Sequence, residues 1–276
     1  MKMILRKKES NADMRLFQIY FSPTGGTKKI VDFMSRSWDC EKVEIDLSDS
    51  LEDFSGYIFG ENDVCMVAAP VFGGRVPMPA TSNIRKLKGN GAKAVLIAVY
   101  GNRAYEDALL ELKNTAALAG FCCIAGVAAV AQHSIMNQFA AGRPDLRDEE
   151  ELMDFSERIK GITGQNTLEA ELWVPGNDPY KEYKVVPVIP KTGEECNQCG
   201  LCAEECPAGA IPKENPMLTE PEMCISCMRC VVICPQKARF TDEGLVEMMS
   251  KRLGEVCSAR KENELFLLDF AEELYK

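Results

Sequence analysis

The chain has 276 residues, of which 46% are hydrophobic and 27% charged, and its formal net charge is −10. This length allows one ordinary domain and a smaller second one. Because nucleic-acid phosphates require clustered Lys and Arg, the acidic balance argues against a nucleic-acid partner. An acidic surface is instead suited to docking on basic patches of partner proteins.

The first residues, MKMILRKKESNADM, are basic and then polar. They lack the apolar centre of a signal peptide. We expect residues 1–13 to form a disordered tail, or to lie upstream of a start at Met14. No apolar run reaches the roughly 18 residues that cross a bilayer. The sequence therefore predicts a cytoplasmic protein without a membrane partner.

From Met14 to about Lys160, short apolar runs alternate with amphipathic stretches. The apolar runs predict strands that are buried on both faces of a parallel sheet. Strands are predicted at 16–21, 41–47, 64–69, 94–100 and 121–131, and helices at 28–37, 104–119 and 148–160. Strands that alternate with helices favour an open α/β sheet. We assign this first domain to residues 14–165.

The rest of the chain divides by composition. Pro and Gly accumulate where the α/β pattern is lost, which predicts a linker at 166–190, with or without short strands of its own. A cysteine-rich domain follows at 191–241. Residues 242–276 are predicted to form one or two helices that close the chain.

Eight of the thirteen cysteines form two similar runs. These are Cys196-x2-Cys199-x2-Cys202-x3-Cys206-Pro207 and Cys224-x2-Cys227-x2-Cys230-x3-Cys234-Pro235. Three cysteines at this spacing wrap one iron–sulfur cluster, and the fourth ligates the other cluster. We therefore assign Cys196, Cys199, Cys202 and Cys234 to one cluster, and Cys224, Cys227, Cys230 and Cys206 to the second.

The alternative interpretation is that these cysteines bind structural zinc. Zinc sites usually pair C-x2-C hairpins across longer loops, whereas here each four-cysteine run ends in Pro. The only His of the chain is His133, which nearly excludes zinc sites built on histidine. Residues 194–240 resemble a bacterial two-[4Fe–4S] ferredoxin.

A loop rich in hydroxyl groups and glycine follows the first predicted strand. Backbone N–H groups at a helix N-terminus, together with hydroxyls, bind anions. The loop lacks the Gly-Lys-Ser/Thr ending of an ATP-binding loop. The alternative interpretation is an ordinary turn with a helix cap. The loop resembles the FMN phosphate loop of flavodoxins, which implies FMN contacts from Ser22, Thr24, Gly25, Gly26 and Thr27.

Two further loops follow the third and fourth predicted strands, at the sheet edge where ligands bind in open α/β folds. The flavodoxin resemblance implies that they hold the isoalloxazine ring, through Pro70, Val71, Phe72, Gly73, Gly74, Tyr100, Gly101, Asn102, Arg103 and Tyr105. It also implies a doubly wound parallel sheet of five strands in the order 2-1-3-4-5, followed by a small α+β ferredoxin domain. We expect Arg103 or Arg75 near the ring edge, with a solvated loop tip as the alternative for each. His133 is expected to contact substrate or flavin or to shuttle protons, with a structural histidine as the alternative.

In this order the two domains resemble flavodoxin–ferredoxin fusions, a family of iron–sulfur flavoproteins. The resemblance implies two [4Fe–4S] clusters and FMN, with electrons passing between them and a redox partner protein. A flavin-dependent reductase of a small electron acceptor is the first alternative, and an iron–sulfur redox sensor is the second. A carrier fits the absence of a visible catalytic base or nucleophile constellation.

Overall fold

The structure is a computed structural model that describes residues 14–165, 171–184 and 186–268. The predicted tail at 1–13 lies outside these ranges. A six-stranded sheet and a separate two-stranded one organise the chain. The strands are β1 (Arg15–Tyr20), β2 (Glu41–Asp46), β3 (Val64–Pro70), β4 (Lys93–Tyr100), β5 (Cys122–Val130), β6 (Lys191–Thr192), β7 (Arg239–Phe240) and β8 (Glu264–Leu267).

The large sheet has the order β2-β1-β3-β4-β5-β8. Its first five strands pair in parallel, so the predicted order 2-1-3-4-5 is confirmed. β3 and β4 are buried along almost their whole length. This burial on both faces explains why the sequences of these strands are unbroken apolar runs and do not alternate between apolar and polar residues.

The helices are α1 (Gly26–Ser35), α2 (Met78–Ile84), α3 (Ala108–Leu118), α4 (Leu146–Ile162), α5 (Leu201–Glu204), α6 (Arg229–Ile233) and α7 (Glu243–Cys257). None of them, within the described ranges, is long and apolar enough to span a membrane. α1 begins at Gly26, earlier than predicted, because Gly25 turns the chain into the helix at φ 89°. α4 begins with a reciprocal capping box between Asp145 and Asp148. The short α2 was not predicted.

The segment predicted as a linker packs against the α/β domain wherever it is described. Leu172 and Val174 belong to the main apolar core. Further along, the buried Asp107 carboxylate accepts hydrogen bonds from the backbone N–H groups of Asn177 (2.9 Å) and Lys181 (2.7 Å). Residues 171–184 are therefore a strap that is fixed to the start of α3, not a free tether.

The C-terminal segment differs from its prediction. A helix is present at α7, but the following residues 264–267 form strand β8, which pairs antiparallel with β5. Asn263 places this strand: its side-chain oxygen accepts from the N–H of Val130, and its amide donates to Asp148 and Glu151. The helical prediction was wrong for 264–267 because an edge partner on β5, invisible in the local pattern, selects the extended form. Residues 269–276 lie outside the described residues.

The cysteine-rich domain is small and carries an internal repeat. Its two ends, β6 and β7, close it as an antiparallel pair. The helical turns α5 and α6 follow equivalent cysteines of the two runs, Cys199 and Cys227. Since the chain enters this domain from the strap and leaves it through α7 to β8, the domain is inserted between two parts of the same α/β unit.

We expect Asp107→Asn to loosen the strap. Burial works to raise the pKa of this carboxyl, but the N–H groups of Lys181 and Asn177 outweigh it and hold the pKa below its usual value. Charged hydrogen bonds of this kind are each worth about 1.5–3 kcal/mol, so the variant should lose about 2 kcal/mol of unfolding free energy at pH 7 in urea titrations.

The lowered pKa also fixes the pH dependence of this effect. The stabilisation should be complete above the unfolded pKa of about 3.9 and lost as the pH falls through the folded value. Asp154→Asn, at an exposed carboxylate paired with Arg158 at 3.9 Å, is the matched control and should stay within about 0.5 kcal/mol of the wild type. Equal losses in both variants would contradict this role.

Candidate functional site

A cleft lies at the carboxyl ends of the parallel strands. It encloses about 690 Å³ including its open mouth. Its position is the one expected for ligands of open α/β sheets. We call it the cleft. Its lining contains no Asp, Glu, Lys or Arg side chain among the described residues.

The loop between β1 and α1 forms one end of the cleft, through Ser22, Pro23, Thr24, Gly26 and Thr27. The Ser22 hydroxyl accepts a hydrogen bond from the N–H of Lys28 at 2.9 Å, which shapes the loop around the helix start. The N–H groups of Gly26 and Thr27 open the helix and have no acceptor among the described residues. The loop thus offers donors and hydroxyls to an anion.

The loops after β3 and β4 form the walls. Pro70, Val71, Phe72 and Gly73 come from the first loop, and Val99, Tyr100 and Gly101 from the second. A hydrogen bond from the N–H of Val71 to the carbonyl of Val99 joins their bases at 2.8 Å. Six of the ten predicted ring residues therefore line the cleft: Pro70, Val71, Phe72, Gly73, Tyr100 and Gly101.

The other four predicted ring residues do not line it. The Asn102 amide donates to the carbonyls of Cys257 (2.6 Å) and Ala259 (2.8 Å), and the Tyr105 hydroxyl donates to Glu264. Both side chains are thus held by the C-terminal segment. Gly74 and Arg103 line a smaller adjoining cavity, and Arg103 is paired there with Glu106 at 2.7 Å.

Arg75 also lies away from the cleft. Its guanidinium forms a salt bridge with Glu111 at 2.7 Å and stacks on the Tyr180 ring, 4.7 Å from its centroid. Arg75 does not line the cleft, and its side chain is not at a solvated loop tip. Through Tyr180 and the carbonyl of Lys181, which accepts from its Nη1 at 2.5 Å, Arg75 contacts the strap.

His133 lies in the loop after β5 and lines the cleft together with Gln132, Ser134 and Ile135. Its Nδ1 accepts from the N–H groups of Ile135 (3.1 Å) and Met136 (3.2 Å). Nδ1 is therefore unprotonated, and the neutral ring carries its proton on Nε2. Burial, with a smaller contribution from the Arg103 charge, lowers the pKa of His133 to about 4.

The fourth side of the cleft comes from the cysteine-rich domain. Ile225 and Ser226 line it and lie between the ligand candidates Cys224 and Cys227; Val186, from the segment before that domain, lies beside them. The Ser226 hydroxyl donates to the carbonyl of Val186 at 2.6 Å, which fixes this loop to the segment that follows the strap. Ile225 and Cys227 belong to the same apolar core as the large sheet. Sequence reasoning missed these residues because no local pattern relates them to β1 or β3.

The eight cysteines surround two cavities in the combination that we predicted. Cys206, Cys224, Cys227 and Cys230 line the first, which we call the inner cavity because its loop borders the cleft. Cys196, Cys199, Cys202 and Cys234 line the second, the outer cavity, where Cys199 is exposed. No three such side chains in the described ranges converge on a single metal ion. Each set surrounds a space rather than a point.

The repeat extends to the hydrogen bonds of the sulfurs. The N–H groups of Ala210 and Ala238 donate to Cys206 Sγ and Cys234 Sγ, each at 3.3 Å. At the start of the runs, Gln198 and Ser226 donate to Cys196 Sγ (3.4 Å) and Cys224 Sγ (3.5 Å). Backbone donors of this kind orient thiolate ligands and tune the group that they bind.

Two cysteines of the inner cavity are difficult to ionise when no positive group is bound next to them. Burial raises the pKa of the Cys227 and Cys230 thiols to about 12 each. Because metals bind the thiolate, a metal bound by these sulfurs would displace their protons.

We expect His133 to make the protein less stable in mild acid. A folded pKa of about 4, against about 6.5 in the unfolded chain, means that the unfolded state binds the extra proton. Stability should be complete above pH 6.5 and should fall by about 2–3 kcal/mol as the pH approaches 4. In His133→Gln this contribution should vanish, so urea titrations at several pH values should give a flatter profile. Parallel profiles for the variant and the wild type would refute this assignment.

Comparisons with known proteins agree with the cysteine geometry. A family model for the 4Fe-4S dicluster domain matches residues 195–239. One component of the ion-translocating oxidoreductase complex of Methanosarcina acetivorans is 51% identical over 45 residues, which are 16% of this chain and 17% of that protein. The ferredoxin-like protein in the nif region of Rhizobium leguminosarum bv. trifolii is 40% identical over 48 residues, which are 15% of this chain and 75% of that protein.

Solved structures that resemble the chain include a flavodoxin from Streptococcus pneumoniae TIGR4, with 18% identity and a TM-score of 0.39 over 53% of this chain and 98% of that one. A flavodoxin from the domain Archaea has 15% identity and a TM-score of 0.40 over 53% and 99%. The strand order itself is the flavodoxin-like one. Since the Rhizobium protein is matched over most of its length, the chain belongs to the 4Fe-4S dicluster ferredoxins and carries that domain on a flavodoxin-like α/β domain.

Proposed function

We propose that this chain is an electron-transfer protein that holds FMN in the cleft and a [4Fe–4S] cluster in each cysteine cavity, and that it exchanges electrons with a redox partner. One observation carries the proposal. The cleft is bounded on one side by the loops at 22–27, 70–73 and 99–101, and on the other by Ile225 and Ser226 of the inner cysteine loop.

The residues of the cleft fit FMN. The free N–H groups of Gly26 and Thr27 and the hydroxyls of Ser22 and Thr24 suit a phosphate monoester that is neutralised by dipoles. Phe72 and Tyr100 supply aromatic surface for a flat ring, and backbone groups of the same loops can meet its polar edge.

The cysteine cavities fit clusters. Four cysteines line each cavity, and each set takes its fourth member from the other run, which is the arrangement of two-cluster ferredoxins. Cys206 and Cys234 are the members that each cavity takes from the other run, and the sulfur of each accepts a backbone hydrogen bond.

The order of the three sites suggests a route. FMN exchanges one or two electrons and a cluster exchanges one, so together they match two-electron chemistry to one-electron carriers. Ile225 and Cys227 pack in the core of the α/β domain, which places the inner cavity next to the cleft. The outer cavity shares no lining residue with the cleft among those described, and it has the exposed Cys199. We propose that electrons pass between the cleft, the inner cavity, the outer cavity and a partner, in this order or its reverse.

The surface beside the outer cavity suits a basic partner. Glu194, Glu195 and Glu204 are exposed there. Carboxylates steer a positively charged partner towards this end of the molecule, an effect that salt weakens. The net charge of −10 acts in the same direction.

A flavin-dependent reductase is a second candidate. It is favoured by the adjoining cavity, which shares His133 and Gly101 with the cleft and is lined by Arg103. A small acceptor would enter there. Multiple turnovers with such an acceptor, without a partner protein, would favour this function over that of a carrier.

Chemical analysis tests the cofactors directly. Anaerobically purified protein should contain about eight iron atoms, eight sulfides and one FMN per chain. Gly25→Val places a β-branched residue at φ 89° and should abolish FMN retention while the iron content remains. If FMN binding survived this change, the phosphate-loop assignment would be wrong.

The crossed ligand sets have their own test. Cys206→Ala should remove the inner cluster and Cys234→Ala the outer one, because each residue lines the cavity of the other run. Iron content should fall by about half in each case. Electron paramagnetic resonance spectra of the reduced variants should lose different signals. Loss of the same signal from Cys234→Ala and Cys227→Ala would overturn the crossed assignment.

The route is tested with a large electron acceptor. Cytochrome c is basic and too large to enter the cleft. The fully reduced protein is mixed with cytochrome c, and the oxidation of the flavin is followed. Oxidation should be fast in the wild type. It should be more than about tenfold slower in Cys199→Ala, because this change damages the outer cluster. Ferricyanide, which is small enough to reach the cleft, is the control and should show a much smaller difference. Equal rates with cytochrome c would exclude an obligatory passage through the outer cavity.

A further inference from the structure

A buried arginine without a carboxylate partner lies beside the outer cavity. Arg239 is 3% exposed, yet no Asp or Glu within the described ranges forms a salt bridge with it. Its guanidinium donates to the Thr219 hydroxyl (2.6 Å), to the Leu218 carbonyl (3.1 Å) and to the carbonyl of Pro216. These neutral acceptors orient the charge but do not neutralise it. A buried and uncompensated cation is expensive unless a negative group is bound next to it.

The negative group can be located from the remaining contacts. Nη2 of Arg239 lies 3.6 Å from Cys202 Sγ, and the side chain lines the outer cavity together with all four of its cysteines. Nε of Arg239 is fully buried and has no hydrogen-bond partner in the part of the chain that is described. Arg229 Nε at the inner cavity is likewise buried without a partner there, so the location rests on the Nη2 contact: the Arg239 cation lies against the space that the outer cysteines surround.

The internal repeat supplies a reference for this position. Arg239 follows Ala238, whose N–H donates to Cys234 Sγ, and the equivalent residue after Ala210 is Ile211. Ile211 is 4% exposed and lines the inner cavity. Two equivalent buried positions thus hold an apolar side chain at the inner cavity and a cation at the outer one. Packing alone does not require the charge, because the repeat fills the same place with isoleucine.

The inner cavity has an arginine of its own, but its charge is balanced. Arg229 lines the inner cavity and forms a salt bridge with Glu205. The pair contributes little net charge to the cavity. The charge of Arg239 also reaches Cys224 and Cys230 of the inner cavity, but its nearest sulfur, at 3.6 Å, is Cys202 of the outer one. The outer cavity is therefore the one that has an unbalanced cation in direct contact with a cysteine.

We infer that Arg239 is the counter-charge of the cluster in the outer cavity and raises the reduction potential of that cluster above that of the inner one; this inference rests on the proposed function. Reduction adds one electron to a cluster and takes up no proton at Arg239. The added negative charge is stabilised by the adjacent cation, and hydrogen bonds and net charge around a cluster are known to set its potential. Electrons arriving from the cleft would then come to rest on the outer cluster, at the exposed end of the molecule.

The experiment is a redox titration of the holoprotein with dithionite and mediators, followed by electron paramagnetic resonance. Arg239→Ile reproduces the residue of the inner cavity. It should lower the midpoint potential of one cluster by at least about 59 mV, which is a tenfold change in the one-electron equilibrium constant. The two midpoint potentials should then lie closer together. The affected signal should be the one that Cys199→Ala removes. Arg239→Lys retains the charge, so its shift should be less than threefold.

Two controls separate charge from packing. Ile211→Met changes the equivalent apolar position and should shift neither potential by more than threefold. Ile211→Lys adds a charge at the inner cavity and should raise the potential of the inner cluster instead. If Arg239→Ile does not assemble, the lysine variants still decide: a downward shift in Arg239→Lys as large as tenfold would overturn the inference.

The outcome also separates this inference from the proposed function. Wild-type protein without iron and sulfide would overturn both. Two intact clusters whose potentials are unchanged in Arg239→Ile would overturn the role of Arg239 alone and leave the electron-transfer function standing.

Discussion

The pairing of β8 with β5 is the contact on which the arrangement of the molecule depends. It returns the chain to the large sheet after the cysteine-rich domain, so that domain is anchored at both ends rather than attached by one tether. The strap holds the other end through Asp107. Two fixed ends restrict the inserted domain far more than one linker, whose flexibility would allow many orientations. The inner cysteine loop consequently packs on the core of the α/β domain.

The return strand is in turn held by a buried polar cluster. Arg143 and Asp148 form a salt bridge with side chains that are at most 4% exposed, and Asn263 and Arg260 add hydrogen bonds to the same carboxylate. These bonds outweigh the burial of Asp148 and hold its pKa below the usual value. Breaking one member of such a buried network leaves an unpaired charge, which costs several kcal/mol. The geometry of the cleft therefore depends on residues that do not touch it.

Charge is distributed unevenly between the two cavities. The exposed carboxylates and the buried Arg239 both lie at the outer end, but they act on different targets. The carboxylates face solvent, where they suit a partner of opposite charge, whereas Arg239 is buried beside the space that the outer cysteines surround. Under the proposed function, burial would make the effect of Arg239 strong, because the effective dielectric constant inside a protein is far below that of water. One end of the domain would then both dock a partner and hold an electron.

The strand order 2-1-3-4-5 followed from the resemblance to flavodoxins. The sequence by itself determined the alternation of strands with helices, the loop at 22–27 and the two four-cysteine runs. Each of these depends on local spacing: apolar periodicity, a glycine with φ 89° at a helix start, or cysteines at fixed intervals. It did not determine strand β8, the strap, the diversion of Asn102 and Tyr105, or the contribution of Ile225 and Ser226 to the cleft. Those features depend on contacts between residues far apart in the chain, or on an edge of the sheet that exists only after folding. Local propensity fixes the elements, whereas the partners of an edge strand or a buried amide are decided by packing.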